Sequence, residues 1–304
     1  MRTQFAAAAL CGALVIGPLP FGFLQTKARA AAQLKRGSYL VNTIMACGNC
    51  HSPRDAQGKL TPENALSGGV KFVTPAFVAT APNITPDPET GLGTWTDGDI
   101  KHALIMGLRP NHGPLAGTPL AAVMPANFYK ALLPEDIDAI VVYLRSIKPV
   151  RSASPDPDYK MPVKREPYPD AERGFSTASF SEPAAHGKYL VTIGHCMECH
   201  AAWSRGVSDF NNGLGHGGRP FGPALVQGFG PDWQGAIASN ITSDPTTAGI
   251  GSWTDDEIKR AITKGIARDG HPLKAPMAYS FYAGLTDGDV RDIVAYLRTL
   301  PPLQ

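Results

Sequence analysis

Apolar residues recur at helical spacing near the end of each half of the chain. One stripe follows Pro134, a residue type favoured in the first turn of a helix, and the other follows Thr286. The members of each stripe stand three or four positions apart, as on one face of an α-helix. They are Ile137, Ile140, Val141 and Leu144 in the first stripe, and Val290, Ile293, Val294 and Leu297 in the second. We therefore expect two helices that each bury one face in a core.

Helix start signals occur earlier in both halves. Thr96 and Thr254 each begin a Thr-x-x-Asp/Glu sequence, which resembles a capping box. The predicted helices cover residues 34–46, 96–107, 184–195 and 254–265. Gly37 and Gly187 lie in the first helix of each half and permit the last helix of that half to cross it closely. No strand pattern of useful length competes, so the predicted fold class is all-α.

A series of short motifs occurs twice in the same order. It comprises Gly-x-Tyr-Leu-Val from Gly37 and Gly187, Asn-Ile-Thr from Asn83 and Asn240, Trp-Thr-Asp from Trp95 and Trp253, and Tyr-Leu-Arg from Tyr143 and Tyr296. Common composition alone does not produce so much matched order, so we infer a duplication. It predicts two tandem domains, residues 31–149 and 184–304, joined by a Pro-rich linker over residues 150–183. We expect this linker to lie extended against both domains, with a disordered hinge as the alternative.

The first thirty residues have the character of a secretory signal peptide. Arg2 precedes a long apolar stretch, and Ala28-Arg29-Ala30 matches a cleavage site. An uncleaved N-terminal anchor is the alternative, because the apolar stretch is long enough to span a membrane. A signal peptide over residues 1–30 predicts export to the periplasm. Cleavage would also remove Cys11 and leave four cysteines.

Those four cysteines form two copies of the sequence Cys-x-x-Cys-His. The copies run from Cys47 through Cys50 to His51, and from Cys196 through Cys199 to His200. The motif is typical of covalent attachment of a c-type haem, with the adjacent histidine as proximal ligand of the iron. A redox dithiol or half of a zinc site is the alternative for a lone Cys-x-x-Cys. Two copies, each followed by histidine, predict two covalently bound haem c groups and a chain that carries electrons.

A methionine at a matched position in each half is the expected sixth ligand of each iron. Met124 lies 73 residues after His51, and Met277 lies 77 residues after His200, each in a Pro-marked loop before the last helix. A methionine thioether raises the haem potential and favours electron transfer over oxygen chemistry. His112 and His271 also occupy matched positions ahead of the methionines, so they are the competing candidates for ligands or for loop-structuring residues.

The combined motifs resemble the cytochrome c subunit of membrane-bound alcohol, aldehyde and gluconate dehydrogenases. The resemblance covers about residues 34–149 and 184–300, and it implies class I-type cytochrome c domains in series. It implies thioether attachment at Cys47, Cys50, Cys196 and Cys199, and axial ligation by His51 with Met124 and by His200 with Met277. The implied donor is a dehydrogenase of the quinoprotein, flavoprotein or molybdenum type. The implied acceptor is a quinone, a cytochrome or a terminal oxidase.

Two features of the chain depart from that family. The typical subunit has three haem motifs whereas this chain has two, and it often carries a C-terminal membrane-binding segment that is not evident after the last predicted helix. Membrane association is therefore expected to be peripheral at most, or to depend on an uncleaved N-terminal segment. The formal net charge of +2 is too small to indicate a nucleic acid as partner.

The sequence predicts a periplasmic diheme c-type cytochrome that relays electrons from a dehydrogenase partner to the respiratory chain. The alternative is a diheme peroxidase-type enzyme with one displaceable axial ligand. That enzyme needs an open iron position and a nearby acid–base group. The matched methionines of the two halves favour the electron carrier, for which no catalytic residues are expected.

Overall fold

The computed structural model describes residues 21–246 and 248–304, and most of the predicted signal peptide lies outside them. In the first half (residues 21–149) the elements are α1 (Phe21–Asn42), α2 (Cys47–His51), β1 (Lys71–Val73), β2 (Phe77–Thr80), α3 (Asp97–Met106), α4 (Ala126–Tyr129) and α5 (Pro134–Ser146). The linker (residues 150–182) holds β3 (Asp158–Tyr159) and α6 (Pro169–Arg173). The second half (residues 183–304) contains α7 (Pro183–Ile193), α8 (Cys196–His200), β4 (Ala202–Ser204), β5 (Val207–Asp209), β6 (Pro220–Phe221), β7 (Val226–Gln227), β8 (Ala236–Ile237), α9 (Asp255–Lys264), α10 (Tyr279–Tyr282) and α11 (Asp287–Leu297).

The first and last helices of each half cross at a glycine. A Cβ atom added to Gly37 in α1 would lie 1.9 Å from the carbonyl oxygen of Ala139 in α5. A Cβ atom added to Gly187 in α7 would lie 1.8 Å from the carbonyl oxygen of Asp292 in α11. Only a residue without a side chain permits this backbone approach, so the predicted close crossing is confirmed at both glycines.

The predicted capping boxes are also present. Thr96 and Thr254 each accept a hydrogen bond from the backbone N–H three residues later, and the side chains of Asp99 and Glu257 bind back to the N–H of those threonines. Both helices end at a glycine with positive φ, as is common where a helix stops. The last helices begin at Pro134 and just after Thr286, as predicted. Helix α1 begins thirteen residues before the predicted start, and its exposed residues 26–32 include four alanines, the strongest helix former.

Short antiparallel strands are the main departure from the all-α prediction. Strands of the first half, the linker and the second half form one sheet in the order β3-β2-β1-β7. In this sheet Phe72 lies opposite Ala79 on one side and Val226 on the other, and Phe77 lies opposite Tyr159. Two further pairs, β4-β5 and β6-β8, lie in the second half. The chain is therefore largely helical but not all-α. Strands of two to four residues are too short to show an alternating pattern, so the sequence did not reveal them.

The Pro-rich linker is ordered and packs against both halves. Tyr168 is fully buried, and its ring stacks on Phe128 of the first half at 4.5 Å between centroids. The same ring meets Phe210 of the second half edge-on at 5.4 Å. Arg165 donates hydrogen bonds to the carbonyl oxygens of Leu120 and Ala121. The linker thus contacts both halves, and its residues Pro169–Arg173 form helix α6, so it is not extended throughout.

The two halves contact each other through crossed tyrosine–aspartate pairs. Tyr189 in α7 donates a 2.5 Å hydrogen bond to Asp136 in α5, and Tyr39 in α1 donates to Asp289 in α11. Each aspartate is the third residue of the last helix of the opposite half. Each tyrosine oxygen also accepts the backbone N–H at the start of that helix, from Leu133 at 3.3 Å and Thr286 at 3.1 Å. The N-terminus of each last helix is therefore bound by the first helix of the other half.

The larger hydrophobic core runs through both halves and includes residues of α1, α5, α7 and α11, while a smaller cluster contains Phe77, Ala79 and Ala121. Within the described part of the chain, none of the helices has the combination of length and apolar character needed to cross a membrane.

Candidate haem-binding sites

The first Cys-x-x-Cys-His motif is the short helix α2, at the end of a sharp turn. Ala46 adopts a left-handed conformation with φ 46°, which turns the chain out of α1. His51 is 8% exposed, and its Nδ1 lies 2.7 Å from the carbonyl oxygen of Pro82. A carbonyl only accepts, so Nδ1 carries the proton and Nε2 keeps its lone pair. Burial lowers the pKa of His51, which further favours the neutral ring that binds a metal.

The second motif, in α8, has the same local arrangement. His195 adopts a left-handed conformation with φ 43° directly before Cys196. His200 Nδ1 lies 2.7 Å from the carbonyl oxygen of Ser239, and desolvation lowers the pKa of His200. Pro82 and Ser239 stand immediately before the two Asn-Ile-Thr motifs, and they are partners that sequence reasoning missed. Metal-binding histidines commonly have their other ring nitrogen bound in this way, so both imidazoles are oriented for ligation through Nε2.

The four thiols are free of disulfides and only partly exposed. Desolvation is the main reason that the pKa of each of Cys47, Cys50, Cys196 and Cys199 is raised to about 12. Desolvation therefore disfavours the thiolate form of all four side chains. In the part of the chain that the structure describes, no three His, Cys, Asp or Glu side chains form a group that could hold a metal ion by themselves.

Met124 and Met277 are partly buried and border the same hydrophobic core as Cys47 and Cys196. Each lies in the loop directly before the short helix that precedes the last helix of its half. The residues predicted for each site are one imidazole, two thiols and one methionine thioether. That set fits a covalently attached haem with nitrogen and sulfur axial ligands.

Two buried tyrosines lie near the thiols of these sites, each at the end of a Phe-Tyr pair that follows a matched methionine. Tyr129 and Tyr282 are 3% and 8% exposed. Burial raises the pKa of both hydroxyls well above its ordinary value, and the next largest cause is the nearby thiol of Cys47 for Tyr129 and of Cys196 for Tyr282. The paired Phe-Tyr after each methionine is the signal that identifies them.

The competing histidines lie on the surface. His112 Nε2 is 3.1 Å from Asp99, and His271 Nδ1 is 2.5 Å from Asp269. Hydrogen bonds from Thr96 and His112 lower the pKa of Asp99 to about 2. Both imidazoles therefore bind surface carboxylates outside the core that borders the two methionines.

The two candidate sites adjoin each other across the contact between the halves. Asn49 of the first motif donates a 2.8 Å hydrogen bond to the carbonyl oxygen of Pro276, directly before Met277. A Cβ atom at Gly48 would lie 2.8 Å from the ring of Phe281. Tyr129 meets His195 edge-on at 6.0 Å between ring centroids. The first attachment motif thus contacts the methionine loop of the second half, and the residue before the second motif contacts α4 of the first half.

Comparison with known proteins finds similarity to cytochromes c. Residues 184–301 match the family model of cytochrome c. The cytochrome c subunit of the quinone-dependent alcohol dehydrogenase of Gluconacetobacter polyoxogenes is 28% identical over 321 residues, covering 100% of this chain and 62% of the relative. The gluconate 2-dehydrogenase cytochrome c subunit of Pantoea cypripedii is 28% identical over 303 residues, covering 95% of this chain and 64% of the relative. A diheme cytochrome c-type protein of Cereibacter sphaeroides is 27% identical over 268 residues, covering 85% of this chain and 83% of the relative.

The chain therefore contains a cytochrome c domain, at residues 184–301, and such a domain implies covalently bound haem c. The predicted resemblance to the cytochrome c subunits of alcohol and gluconate dehydrogenases is confirmed. The chain spans slightly less than two-thirds of the length of those two dehydrogenase subunits.

Proposed function

We propose that this chain is a periplasmic two-haem cytochrome that carries electrons from a dehydrogenase to a quinone, a cytochrome or a terminal oxidase of the respiratory chain. The observation that carries the proposal is the matched pair of Cys-x-x-Cys-His helices, each with a histidine whose Nδ1 is bound to a backbone carbonyl. Residues 31–149 and 184–304 form two duplicated cytochrome c domains in this proposal. Its donor is the type of dehydrogenase named in the relatives.

The roles of the site residues follow from their chemistry. Cys47 with Cys50, and Cys196 with Cys199, hold the two haems through thioether bonds. His51 with Met124, and His200 with Met277, are the axial ligands. A bound haem supplies one-electron chemistry at its iron, and methionine ligation raises its potential. The carbonyls of Pro82 and Ser239 keep each imidazole in the orientation and tautomer that ligation requires.

Export supports the same proposal. Arg2, the apolar stretch and Ala28-Arg29-Ala30 have the order of a cleavable signal peptide, and c-type haem is attached outside the cytoplasm. The mature chain then carries no cysteine besides the four of the haem motifs. Membrane association in this proposal is peripheral, or results from retention of the N-terminal segment.

Haem counting tests the proposal directly. Full-length protein, exported from a host that attaches haem c, is expected to contain two haems per chain by the pyridine haemochrome assay and by intact mass. The variants Cys47→Ala/Cys50→Ala and Cys196→Ala/Cys199→Ala should each retain one haem, because each removes one attachment motif. A wild-type protein with a single haem, or a double variant that keeps both, would contradict the two-site assignment.

The ligand assignment is tested by replacing each methionine separately. Met124→Ala and Met277→Ala should each halve the weak near-infrared absorption of methionine-ligated ferric haem c, and each should let carbon monoxide bind one reduced haem per chain. Met106→Ala is the control, since that side chain is 49% exposed and borders no haem motif in our assignment. An unchanged spectrum in either site variant would remove that methionine from the ligand set.

A further inference from the structure

The loop that carries Met277 is held by hydrogen bonds to the two carbonyls directly before it. Asn49 Nδ2 donates to the carbonyl oxygen of Pro276 at 2.8 Å, across 227 positions of sequence. Trp233 Nε1 donates to the carbonyl oxygen of Ala275, also at 2.8 Å. Asn49 lies within the attachment motif of the first half, between Gly48 and Cys50. One of the two bonds therefore joins the methionine loop of one site to the haem attachment helix of the other.

Asn49 is itself fixed by a neighbouring arginine. Arg54 Nη2 donates to Asn49 Oδ1 at 2.8 Å and to the Asn49 carbonyl at 3.2 Å. Because Oδ1 accepts from a guanidinium, the amide nitrogen must face Pro276, so the orientation of the Asn49 amide is determined by its partners. The Arg54 guanidinium lies 4.6 Å from the ring centroid of Phe229, and that ring lies 5.1 Å from Trp233. The two donors to the loop thus belong to one packed cluster.

The loop that carries Met124 is held by a different element. Arg165 of the linker donates to the carbonyl oxygens of Leu120 at 2.7 Å, Ala121 at 3.0 Å and Met124 at 3.4 Å. The position in the second motif that matches Asn49 is Glu198, whose carboxylate lies 3.1 Å from His195. An ionised carboxylate only accepts hydrogen bonds, so Glu198 cannot donate to a backbone carbonyl as Asn49 does.

We propose that Asn49, assisted by Trp233, is a positioning residue for Met277. It couples the axial methionine of the second haem site to the attachment helix of the first, whereas Met124 depends on Arg165 of the linker. This inference rests on the proposed ligand assignment. A methionine stays on the iron only while its loop holds the thioether in place, and residues that orient metal ligands strongly affect the strength of the site.

The test uses Asn49→Asp in the haem-loaded full-length protein. Aspartate keeps the shape and the acceptor for Arg54, but it replaces the donated hydrogen bond to Pro276 with two facing oxygens. We expect carbon monoxide to bind one reduced haem per chain at least about tenfold faster than in the wild type, the low end of the effect of removing a partner that orients a ligand. The near-infrared absorption of methionine-ligated haem should fall, and one of the two midpoint potentials should decrease.

Matched variants identify the site that responds. In a Met124→Ala background, Asn49→Asp should let carbon monoxide bind the remaining haem. In a Met277→Ala background it should cause no further change in carbon monoxide binding. Glu198→Gln is the control at the matched position and should leave carbon monoxide binding at both sites as in the wild type. Arg165→Met should act only on the Met124 site. Trp233→Phe keeps the aromatic contact but removes the donor to Ala275, so it should change carbon monoxide binding in the same direction as Asn49→Asp.

The outcomes separate this inference from the proposed function. If Met277→Ala leaves the spectrum unchanged, the ligand assignment itself fails. If Met277→Ala opens one haem while Asn49→Asp and Trp233→Phe leave carbon monoxide binding at wild-type rates, the positioning role is overturned. An Asn49→Asp effect that persists in the Met277→Ala background also overturns it, because the substitution would then act on the Met124 site.

Discussion

Gly187→Ala is expected to destabilise the folded protein by about 3 kcal/mol or more, at the upper end for an added methyl group in a packed core. The new Cβ would lie 1.8 Å from the carbonyl oxygen and 2.4 Å from the carbonyl carbon of Asp292. Both are backbone atoms of α11, so relief requires α7 and α11 to move apart. Urea unfolding of the haem-loaded protein, followed by far-ultraviolet circular dichroism, measures the change.

Gly288→Ala is the matched control within α11. Its Cβ would lie 3.8 Å from Thr286 and 3.9 Å from Arg291, which is ordinary contact. Replacing a helical glycine with alanine at such a position is expected to stabilise the protein by about 0.5–1 kcal/mol. The same chemical change should therefore have opposite signs at the two positions. Equal midpoints for Gly187→Ala and the wild type would show that the helices do not cross as closely as the structure has them.

Asp136→Ala is expected to lower the free energy of unfolding by about 3 kcal/mol, the lower end of the range for removing one partner of a buried ion pair. Asp136 accepts two hydrogen bonds from Arg36, at 2.7 and 2.8 Å, and one from Tyr189 at 2.5 Å. The Asp136 side chain is 3% exposed and that of Arg36 is 37% exposed, so the substitution leaves a partly desolvated cation without its carboxylate. We expect the lower end of the destabilisation range because solvent reaches Arg36 and screens its charge.

Asp138→Ala, on the same helix, is the control for this prediction. Asp138 pairs with Lys101, and both side chains are well exposed, at 45% and 37%. Exposed ion pairs contribute little to stability, so the free energy of unfolding is expected to fall by less than about 1 kcal/mol. Tyr189→Phe should fall between the two, at about 1 kcal/mol for one hydrogen bond. Equal urea midpoints for Asp136→Ala and Asp138→Ala would contradict the role of Asp136 in joining the two halves.

Asp136 also matters for the arrangement of the candidate sites. It binds residues of both halves, and the first attachment motif contacts the methionine loop of the second half, while His195 beside the second motif contacts Tyr129 of the first half. The relative position of the two sites therefore depends on contacts remote from either motif. We expect substitutions at this contact to affect both sites together, in contrast to the single-site effects of Met124→Ala and Met277→Ala.

Much of this architecture could be predicted from the sequence because its determinants are local. The capping boxes at Thr96 and Thr254 satisfy helix ends with partners three residues away, and the apolar stripes after Pro134 and Thr286 report one face of a single helix. Gly37 and Gly187 stood out as the residues that permit close crossing, and the structure has both crossings there. The strands were missed since they are only two to four residues long, and β1 with β7 and β2 with β3 also pair across distant parts of the chain.

The sequence by itself predicted the donor atoms of the two candidate sites. The Cys-x-x-Cys-His motifs specify two thiols and an imidazole within five residues, and the repeat singled out Met124 and Met277 among seven methionines. Only the tertiary structure decided which backbone carbonyls orient His51 and His200, which residues hold the methionine loops, and that the two sites adjoin. These contacts join atoms 31 to 227 positions apart, so they exist only once the helices have packed.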